Sequence, residues 1–452
     1  MKSGTLRPNL ERVKVSACPM QARCLQKELS ETRFHNLPST MDGLLIPTGQ
    51  MNCDLQSTLR AFLGTASGLI LETRSERDRG DNPGVVLTGK SGMGMSNKLT
   101  RNGFTCVQRF ALLPSIKAAR WLIPLGDPRW AQSAWQIYNP YARQGRLLKK
   151  LLSGVTLLSW TSWARHEVLI GSKGRLPLEI LVSEITGERR PVFALSLGTP
   201  GRFRKLTIQI MRPDGEILGY AKLPLTRAAT ERLRHEAAVL ERLSGVASVR
   251  PQVPRVLHAG EWGDGYILVL SNGPPGQGPV EFGPSHEKFL VTCGAVHRAD
   301  RPGRVLWEEV SDKWRQSGGA LSSEWRTLVQ TALEKARQAL DGEMIPCGLI
   351  HGDFAPWNTR IGNGSLFVFD WESASSDLPL AWDMFHFHTQ VASLLNKNSG
   401  RARFLRLAGG KNAPLLLYLL NSICQILEEK APDSHVALNY RRRLLSDALC
   451  RV

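Results

Sequence analysis

The sequence contains no long apolar run and no organised set of cysteines. No stretch of about 18 apolar residues occurs, so a membrane-spanning helix is not expected. The N-terminus lacks the continuous apolar segment of a secretory signal. The eight cysteines are scattered without a CxxC pair, which is typical of reduced, mostly buried thiols and not of a disulfide framework. These absences predict a cytoplasmic protein.

Acidic residues are few relative to basic ones. The chain of 452 residues has 40 Asp and Glu against 58 Lys and Arg, a formal net charge of +18. Such an excess accompanies binding to nucleic acid, to an anionic membrane surface or to an acidic small molecule, or it reflects an arginine-rich proteome. No motif favours nucleic acid, so none is expected as a partner. The length allows two or three domains.

The most informative stretch is 349–372, which reads LIHGDFAPWNTRIGNGSLFVFDWE. Asn358 follows Asp353 by five residues, and Asp370 follows Asn358 by twelve. In protein kinases an Asn stands five residues after a catalytic Asp, and a metal-binding Asp comes further on. The spacing therefore predicts a phosphoryl-transfer site.

A predicted hairpin supports this interpretation. Thr359–Ile361 and Ser365–Phe369 are short strand candidates, joined by the turn signal Gly362-Asn363-Gly364. Folding the hairpin brings Asn358 and Asp370 side by side, and two oxygen ligands suit Mg²⁺. The alternative is a loop whose polar residues only cap the hairpin.

The segments HGDFAPWN and VFDWE resemble the aminoglycoside phosphotransferase and choline kinase family, which is related in fold to the protein kinases. The resemblance covers roughly residues 190–400 and is weak or absent before them. It implies an α+β fold with two lobes, a small lobe with an antiparallel sheet and one helix, and a large, mainly helical lobe.

The resemblance also implies an activity. ATP and Mg²⁺ would support transfer of a γ-phosphate to a hydroxyl of an amino sugar, sugar, choline-like amine or related metabolite, with Asp353 as the general base and Asn358 and Asp370 as metal ligands. The alternative is a non-catalytic, kinase-like nucleotide-binding module within a biosynthetic assembly. The intact set of five residues, completed by Lys222 and Glu236, argues against that alternative.

Lys222 and Glu236 are the predicted ion pair of the nucleotide site. The helix over 226–243, with Thr226 as its N-cap, has an apolar face formed by Ala229, Leu233, Leu240 and Leu243. Glu236 lies within that face, and a buried carboxylate is costly unless it is paired. Lys222, at the end of the preceding strand, is the natural partner. The alternative is a Glu that reaches solvent at the edge of the face.

Residues 196–203 form the predicted nucleotide loop. Gly198 and Gly201 allow backbone N–H groups to approach phosphates closely, although the loop is not a full GxGxxG and contains Pro200. An ordinary hairpin loop is the alternative. Lys205 and its basic neighbours either add positive charge there or are simply solvated.

A second motif, Gly84–Ser91, matches the P-loop pattern GxxxxGK[ST]. The pattern requires a buried strand before it and a helix after it. Neither is predicted here, and the loop itself contains the strand-like run Val-Val-Leu. We therefore expect a strand and no phosphate site.

We expect four regions along the chain. These are an N-terminal extension over 1–105, folded or partly disordered, a Trp/Leu-rich accessory region over 106–189, a small lobe over 190–272 and a large lobe over 273–452. The basic, aromatic segment 146–163 either packs as a helix or lies at a membrane surface.

Several other polar residues receive structural interpretations. His351 orients the catalytic loop, Asp383 anchors it, and His386 and His388 are packing or surface groups. Glu372 either touches metal-bound water or caps a turn. The arginines at 441–443 form a solvated helix face.

Overall fold

A computed structural model of the chain describes parts of 55–63 and the ranges 84–89, 106–114, 118–141, 143–159, 166–172, 174–318, 321–395, 412–429 and 434–450. Most of the predicted extension over 1–105 lies outside these residues. No helix among them is long and apolar enough to cross a membrane.

One antiparallel sheet of nine strands dominates the first part of the described chain. Its spatial order is β1-β4-β2-β3-β5-β6-β7-β9-β8. The strands are β1 Gly84–Gly89, β2 Cys106–Leu113, β3 Trp121–Pro124, β4 His166–Ser172, β5 Val192–Ser196, β6 Lys205–Met211, β7 Ile217–Pro224, β8 Val256–Trp262 and β9 Gly265–Ser271. Strands β5–β9 form the antiparallel sheet that is expected in the small lobe over 190–272.

The accessory region continues this sheet. Strand β3 pairs with β5, with Trp121 opposite Ser196, and on its other side it pairs with β2. The boundary expected at residue 190 therefore falls inside a continuous sheet. The upstream P-loop match forms β1, paired antiparallel to β4. Its glycines belong to a strand, and Lys90 lies outside the described residues.

Both faces of the sheet are covered, because successive side chains along a strand point alternately into two apolar cores. In β5, Phe193 and Leu195 belong to one apolar cluster, together with α3 and helical residues of 55–63, while Val192 and Ala194 belong to a second cluster with α1. These helices are α1 Pro128–Ala134, α2 Arg143–Ser159 and α3 Pro177–Thr186.

The predicted small-lobe helix is α4 Arg227–Ser244. Thr226 is its N-cap, and the Thr226 hydroxyl accepts a hydrogen bond from the Ala229 N–H at 3.1 Å. The cap satisfies one of the N–H groups that the first helical turn leaves without an intrahelical partner. Its apolar face packs against Leu268 and Leu270 of β9 in a further cluster.

The large lobe is mainly helical, as predicted. Its helices are α5 Pro284–Gly294, α6 Gly303–Ser317, α7 Ser323–Leu340, α8 Ala381–Leu395, α9 Asn412–Glu429 and α10 Ser434–Leu449. The predicted hairpin is present as β12 Thr359–Gly362 and β13 Ser365–Val368, with Thr359 opposite Val368. A three-stranded sheet also forms, from β10 Ala299–Pro302, β11 Met344–Ile350 and β14 Ser375–Pro379.

The basic segment 146–163 is helical up to Ser159, and 160–165 lie outside the described residues. Leu147 and Leu151 are exposed, whereas Lys149 donates a hydrogen bond to Asn139 Oδ1 at 2.6 Å. The helical form agrees with both interpretations of this segment, which remain predictions. The last arginine cluster was wrongly assigned to solvent at one position, because Arg441 is 2% exposed.

Candidate active site

Lys222 and Glu236 meet as the sequence predicts. The Lys222 ammonium lies 2.6 Å and 2.7 Å from the two Glu236 carboxylate oxygens. Glu236 is fully buried, and the Trp371 N–H also donates to it at 3.2 Å. Strand β7 and helix α4 thus bring two costly buried charges together, and each offsets the desolvation of the other.

Asp370 also contacts the Lys222 ammonium. Its Oδ1 accepts from Lys222 at 2.7 Å and from Lys205 at 2.8 Å. Burial alone would raise the pKa of Asp370, but the two ammonium groups outweigh burial and hold the pKa well below its usual range. Asp370 also adopts a left-handed backbone, with φ 71°, a strained state for a residue with a side chain. Such strain commonly occurs at functional sites.

Lys205 is a site residue that the sequence analysis left between two interpretations. Its ammonium bonds to Asp370 and, very closely, to Glu372. Burial would lower the pKa of Lys205, but these carboxylates outweigh it and raise the pKa. A signal was present in the strand pattern. Thr207 lies opposite Lys222, so Lys205, two residues before it, shares the face of the sheet that carries Lys222.

The carboxylate oxygens of Glu236, Asp370 and Glu372 lie within 4.8 Å of one another. The ammonium groups of Lys222 and Lys205 balance two of these three carboxylate charges. Asp370 and the side-chain carbonyl of Asn358 provide the hard oxygen donors that Mg²⁺ prefers. The residues present therefore fit a divalent cation at Asp370.

The catalytic-loop candidate Asp353 is fixed by its neighbour Asn358. The Asn358 amide donates to Asp353 Oδ2 and to the Asp353 main-chain oxygen, both at 2.9 Å. The main-chain carbonyl of Asn358 in turn accepts from the Phe369 N–H at 3.0 Å. The hairpin thus brings Asn358 next to the chain that carries Asp370, as its register predicts. The Asp353 side chain remains 38% exposed, so a substrate can reach it.

His351 and Asp383 support the loop. His351 Nε2 donates to the Phe369 carbonyl at 3.0 Å, and its Nδ1 accepts from the Asp353 N–H at 3.2 Å. The buried Asp383 carboxylate accepts from the N–H groups of His351 and Gly352, at 2.7 Å and 2.9 Å. Gly352 has φ 79°, and a Cβ there would lie 2.1 Å from the Ser373 carbonyl. Only glycine fits between the two segments.

His386 contacts the candidate base directly, which the sequence analysis did not predict. Its Nε2 lies 3.0 Å from Asp353 Oδ1, so the earlier assignment to packing or surface was wrong. His388, two residues further on, is buried among Phe282 and Phe387, in agreement with a packing role. No motif signalled His386, because its contact with Asp353 joins residues 33 positions apart.

The predicted nucleotide loop connects β5 to β6. Gly198 has φ 68°, and a Cβ there would lie 2.2 Å from the Lys205 carbonyl. The Thr226 hydroxyl donates to the Arg202 carbonyl at 2.5 Å, which ties the loop to the start of α4. Gly201 also has positive φ, at 155°. The loop thus lies next to Lys205 and the start of α4.

The two lobes meet at a second ionic contact. Arg232 of α4 lies 3.6 Å from Glu372 and 3.6 Å from Glu429 at the end of α9. Burial raises the pKa of Glu429, opposed by Arg232, and the Asp353 carboxylate raises it further. A carboxyl group of the large lobe is therefore close enough to Asp353 for the two charges to interact.

A two-lobed fold with this Lys–Glu pair, loop aspartate and second aspartate defines a phosphotransferase of the protein-kinase-like class. Residues 220–387 match the family model described as the phosphotransferase enzyme family. The match includes the segments HGDFAPWN and VFDWE and confirms the resemblance to aminoglycoside phosphotransferases. No curated protein matches the chain.

Solved structures of aminoglycoside phosphotransferases are similar to the chain at low identity. A thermostable mutant of aminoglycoside phosphotransferase APH(4)-Ia, in a ternary complex with ADP and hygromycin B, is 12% identical, with a TM-score of 0.43 over 60% of this chain and 97% of that one. The GDP complex of wild-type aminoglycoside 2'-phosphotransferase-IIIa is 13% identical, with a TM-score of 0.41 over 62% of this chain and 99% of that one.

Proposed function

We propose that the protein transfers the γ-phosphate of ATP to a hydroxyl group of a small molecule in the cytoplasm. The observation that carries this proposal is the Lys222 ammonium, which bridges Glu236 and Asp370 while Asp353 is fixed in the adjoining loop. A phosphotransferase needs a cation for the phosphates and a base for the attacking hydroxyl close together. This arrangement supports both roles.

Asp353 acts as the general base in this proposal. Hydrogen bonds from His386 and Asn358 fix its two carboxylate oxygens, and its exposure leaves lone pairs open to an acceptor. As the acceptor oxygen forms its bond to the γ-phosphorus, the hydroxyl proton moves to Asp353, and the bond from phosphorus to the β-phosphate oxygen breaks. The carboxylate orients the hydroxyl before it accepts the proton.

Lys222 contacts the α- and β-phosphates, and Glu236 holds Lys222 in place. Gly198 and Gly201 permit the loop backbone to approach the phosphates. Asn358 and Asp370 would hold Mg²⁺, which neutralises charge on the β- and γ-phosphates when it is bound. Both ammonium groups contact Oδ1 of Asp370, so its second carboxylate oxygen would be the one offered to the metal.

The proposed acceptor is an alcohol on an amino sugar, sugar, choline-like amine or related metabolite. Many of these carry a cationic nitrogen, which an acidic pocket recognises. The sequence did not locate such a pocket, and in this proposal Glu429, which lies 3.6 Å from Arg232, supplies a carboxyl group for that nitrogen.

Replacement of Asp353 by asparagine tests the proposal. Asp353→Asn keeps the size and hydrogen bonding of the side chain but removes the base, so turnover should fall by a factor of about 100 or more, while ATP affinity stays within about twofold. The measurement is Mg²⁺-dependent ADP release across a panel of amino sugars, sugars and amino alcohols, together with ATP titration. Asp341→Asn, an exposed position at the end of α7, is the matched control.

Three outcomes decide the matter. A wild-type protein that binds ATP but phosphorylates nothing in the panel, and does not turn over ATP with water, favours the non-catalytic nucleotide-binding module. Unchanged turnover in Asp353→Asn contradicts the role of Asp353. Absence of ATP binding, with or without Mg²⁺, contradicts the whole proposal.

A further inference from the structure

The carboxylate of Asp353 is held from two sides. Asn358 donates to Oδ2 from within the loop. His386, on the buried helix α8, lies 3.0 Å from Oδ1. A fixed carboxylate has one orientation toward an incoming hydroxyl, whereas a carboxylate held at one oxygen can rotate. The contact with His386 therefore affects the geometry of the reacting group itself.

The protonation of the ring follows from its partners. A hydrogen bond between an imidazole nitrogen and a carboxylate oxygen requires one proton between them, so Nε2–H donates to Asp353. The other nitrogen, Nδ1, is then an acceptor, and the Tyr418 hydroxyl lies 3.3 Å from it. The Gln390 amide lies 3.0 Å from Nε2, and its oxygen can face this proton, because amide orientation is assigned from hydrogen bonding.

Asp353, His386 and Tyr418 form a row of hydrogen-bonded polar side chains, and Tyr418 extends this row into the core of the large lobe. Tyr418 is 3% exposed and belongs to the apolar cluster that α9 forms with the helices packed against it. Burial raises the pKa of Tyr418, so its hydroxyl stays protonated, and the hydroxyls of Thr389 and Ser422 also lie close to this side chain. Ser422 accepts in turn from Arg441 Nε at 3.0 Å.

Such a row is costly to bury. Polar groups in an apolar core destabilise the fold unless each is hydrogen-bonded, and an alternative apolar packing would avoid that cost. The row ends at Asp353, the one member that reaches the cleft. The arrangement is explained if its members hold the ring of His386 in a single tautomer and orientation.

We propose that His386 is a positioning residue for Asp353, held in its donor tautomer by Tyr418. This inference rests on the proposed function, in which Asp353 is the base. His386 transfers no proton in the reaction. The acceptor's proton moves to the Asp353 carboxylate, and the Nε2–H bond to Oδ1 stays in place throughout.

The test compares three variants of helix α8. His386→Phe removes every hydrogen bond of the ring, His386→Gln restores a donor near the position of Nε2, and His388→Phe is the matched control, since both histidines are 8% exposed. The measurements are kcat and KM for Mg-ATP turnover with water as the phosphate acceptor, ATP affinity by titration, and the unfolding midpoint.

His386→Phe should lower kcat about tenfold, equivalent to about 1.4 kcal/mol, with ATP affinity and KM within about twofold. His386→Gln should recover most of that loss, and Tyr418→Phe should show a smaller loss of kcat. His388→Phe should leave kcat unchanged. In an Asp353→Asn background, His386→Phe should cause no further loss, because its target is gone.

Two results overturn the inference alone. One is wild-type kcat in a folded His386→Phe protein. The other is parallel loss in His386→Phe, His386→Gln and His388→Phe, which assigns the effect to packing. A wild-type protein that binds no nucleotide, or that turns over ATP neither with water nor with any acceptor of the panel, overturns the proposed function itself, and this inference with it.

Discussion

At the scale of single residues, His286 shows how burial alone can link stability to pH. It is 1% exposed and stacks on Phe282. Its Nδ1 accepts from the Gly283 N–H at 3.1 Å, and its Nε2 has no hydrogen-bond partner among the described residues. Burial lowers the pKa of His286 to about 4. The folded protein therefore keeps this ring neutral where an unfolded chain would protonate it.

The consequence is a stability loss in mild acid. Between the unfolded pKa of about 6.5 and the folded pKa, the unfolded chain binds the extra proton, so the free energy of unfolding falls as pH falls. From pH 7 to pH 5 this contribution is about 2 kcal/mol. Denaturant unfolding at both pH values should show a smaller drop in His286→Phe than in wild type by about that amount. His297→Phe, at an exposed position, should behave as wild type, and equal drops in all three proteins would contradict the account.

The site residues differ in how far local sequence could predict them. Glu236 was recognisable because a carboxylate in an apolar helical face needs a partner, and Asn358 because its spacing from Asp353 is local. Lys205 and His386 were not, since their contacts depend on how distant elements pack. Lys205 contacts Asp370, which is 165 positions away in the sequence. Only the alternation of side chains along β6 indicated that Lys205 lies on the same face of the sheet as Lys222.

At the scale of elements, the loop between β5 and β6 is the one whose backbone conformation bears most directly on the site. Gly198 combines a left-handed backbone with close approach to Lys205, whose side chain reaches Asp370. A side chain at 198 would push against the first residue of β6. The position of one lysine thus depends on the absence of a Cβ seven residues earlier.

Gly198→Ala should weaken ATP binding as well as the fold. The left-handed backbone costs about 1–2 kcal/mol for a residue with a Cβ, and the contact at 2.2 Å adds displacement of the main chain at Lys205. Gly187→Ala is the matched control, because Gly187 has φ 76° and nothing within 4 Å of its Cβ position. Thermal unfolding and ATP titration should show lowered stability in both variants and lowered affinity only in Gly198→Ala. Equal ATP affinity in the two variants would show that the loop at Gly198 does not contribute to nucleotide binding.

Strands with clear alternation and turn signals were predictable, and short polar ones were not. Strands β5–β9 lie within the small lobe predicted over 190–272, and helix α4 and the β12–β13 hairpin lie where the sequence predicts them. Strand β10 reads Ala-Asp-Arg-Pro, is mostly exposed, and exists because it pairs with β11. Neither apolar periodicity nor β-propensity marks such a strand, since its hydrogen bonds come from a distant partner.

At the scale of the whole molecule, the accessory region reaches the catalytic loop directly. The Tyr141 hydroxyl lies 2.7 Å from the Pro356 carbonyl and 3.2 Å from the Gly278 carbonyl in the connection between the lobes. Gln277 of that connection donates to the Pro140 carbonyl at 3.0 Å. A segment outside the family match thus supports residues inside it.

Tyr141→Phe should loosen the loop around Asp353 without unfolding the protein. A hydrogen bond of this kind contributes about 1 kcal/mol, so amide exchange of 353–358 should become about fivefold faster. Exchange followed by mass spectrometry is the measurement, and kcat should fall with it. Tyr266→Phe, in β9 away from this loop, should leave exchange of 353–358 unchanged. If amide exchange of 353–358 in Tyr141→Phe is as slow as in wild type, the loop is stable without the hydrogen bonds of Tyr141.

The continuity of the sheet was the feature of the whole molecule that composition did not indicate. The composition and strand pattern of the sequence change near residue 190. That change describes only the local sequence, whereas the β3–β5 pairing joins residues on both sides of it. Removal of the accessory region would leave β5 as an unpaired edge with Phe193 and Leu195 uncovered in part. Exposed apolar edges of this kind favour aggregation.

The hydroxyl of Tyr141 also makes the first half of the described chain a potential effector surface. Two regions joined by a shared contact exchange free energy reciprocally. If a bound nucleotide tightens the Asp353 loop, the same coupling tightens the attachment of the segment around Pro140. A ligand that holds this segment would then raise turnover from outside the cleft, and one that pulls it away would lower turnover.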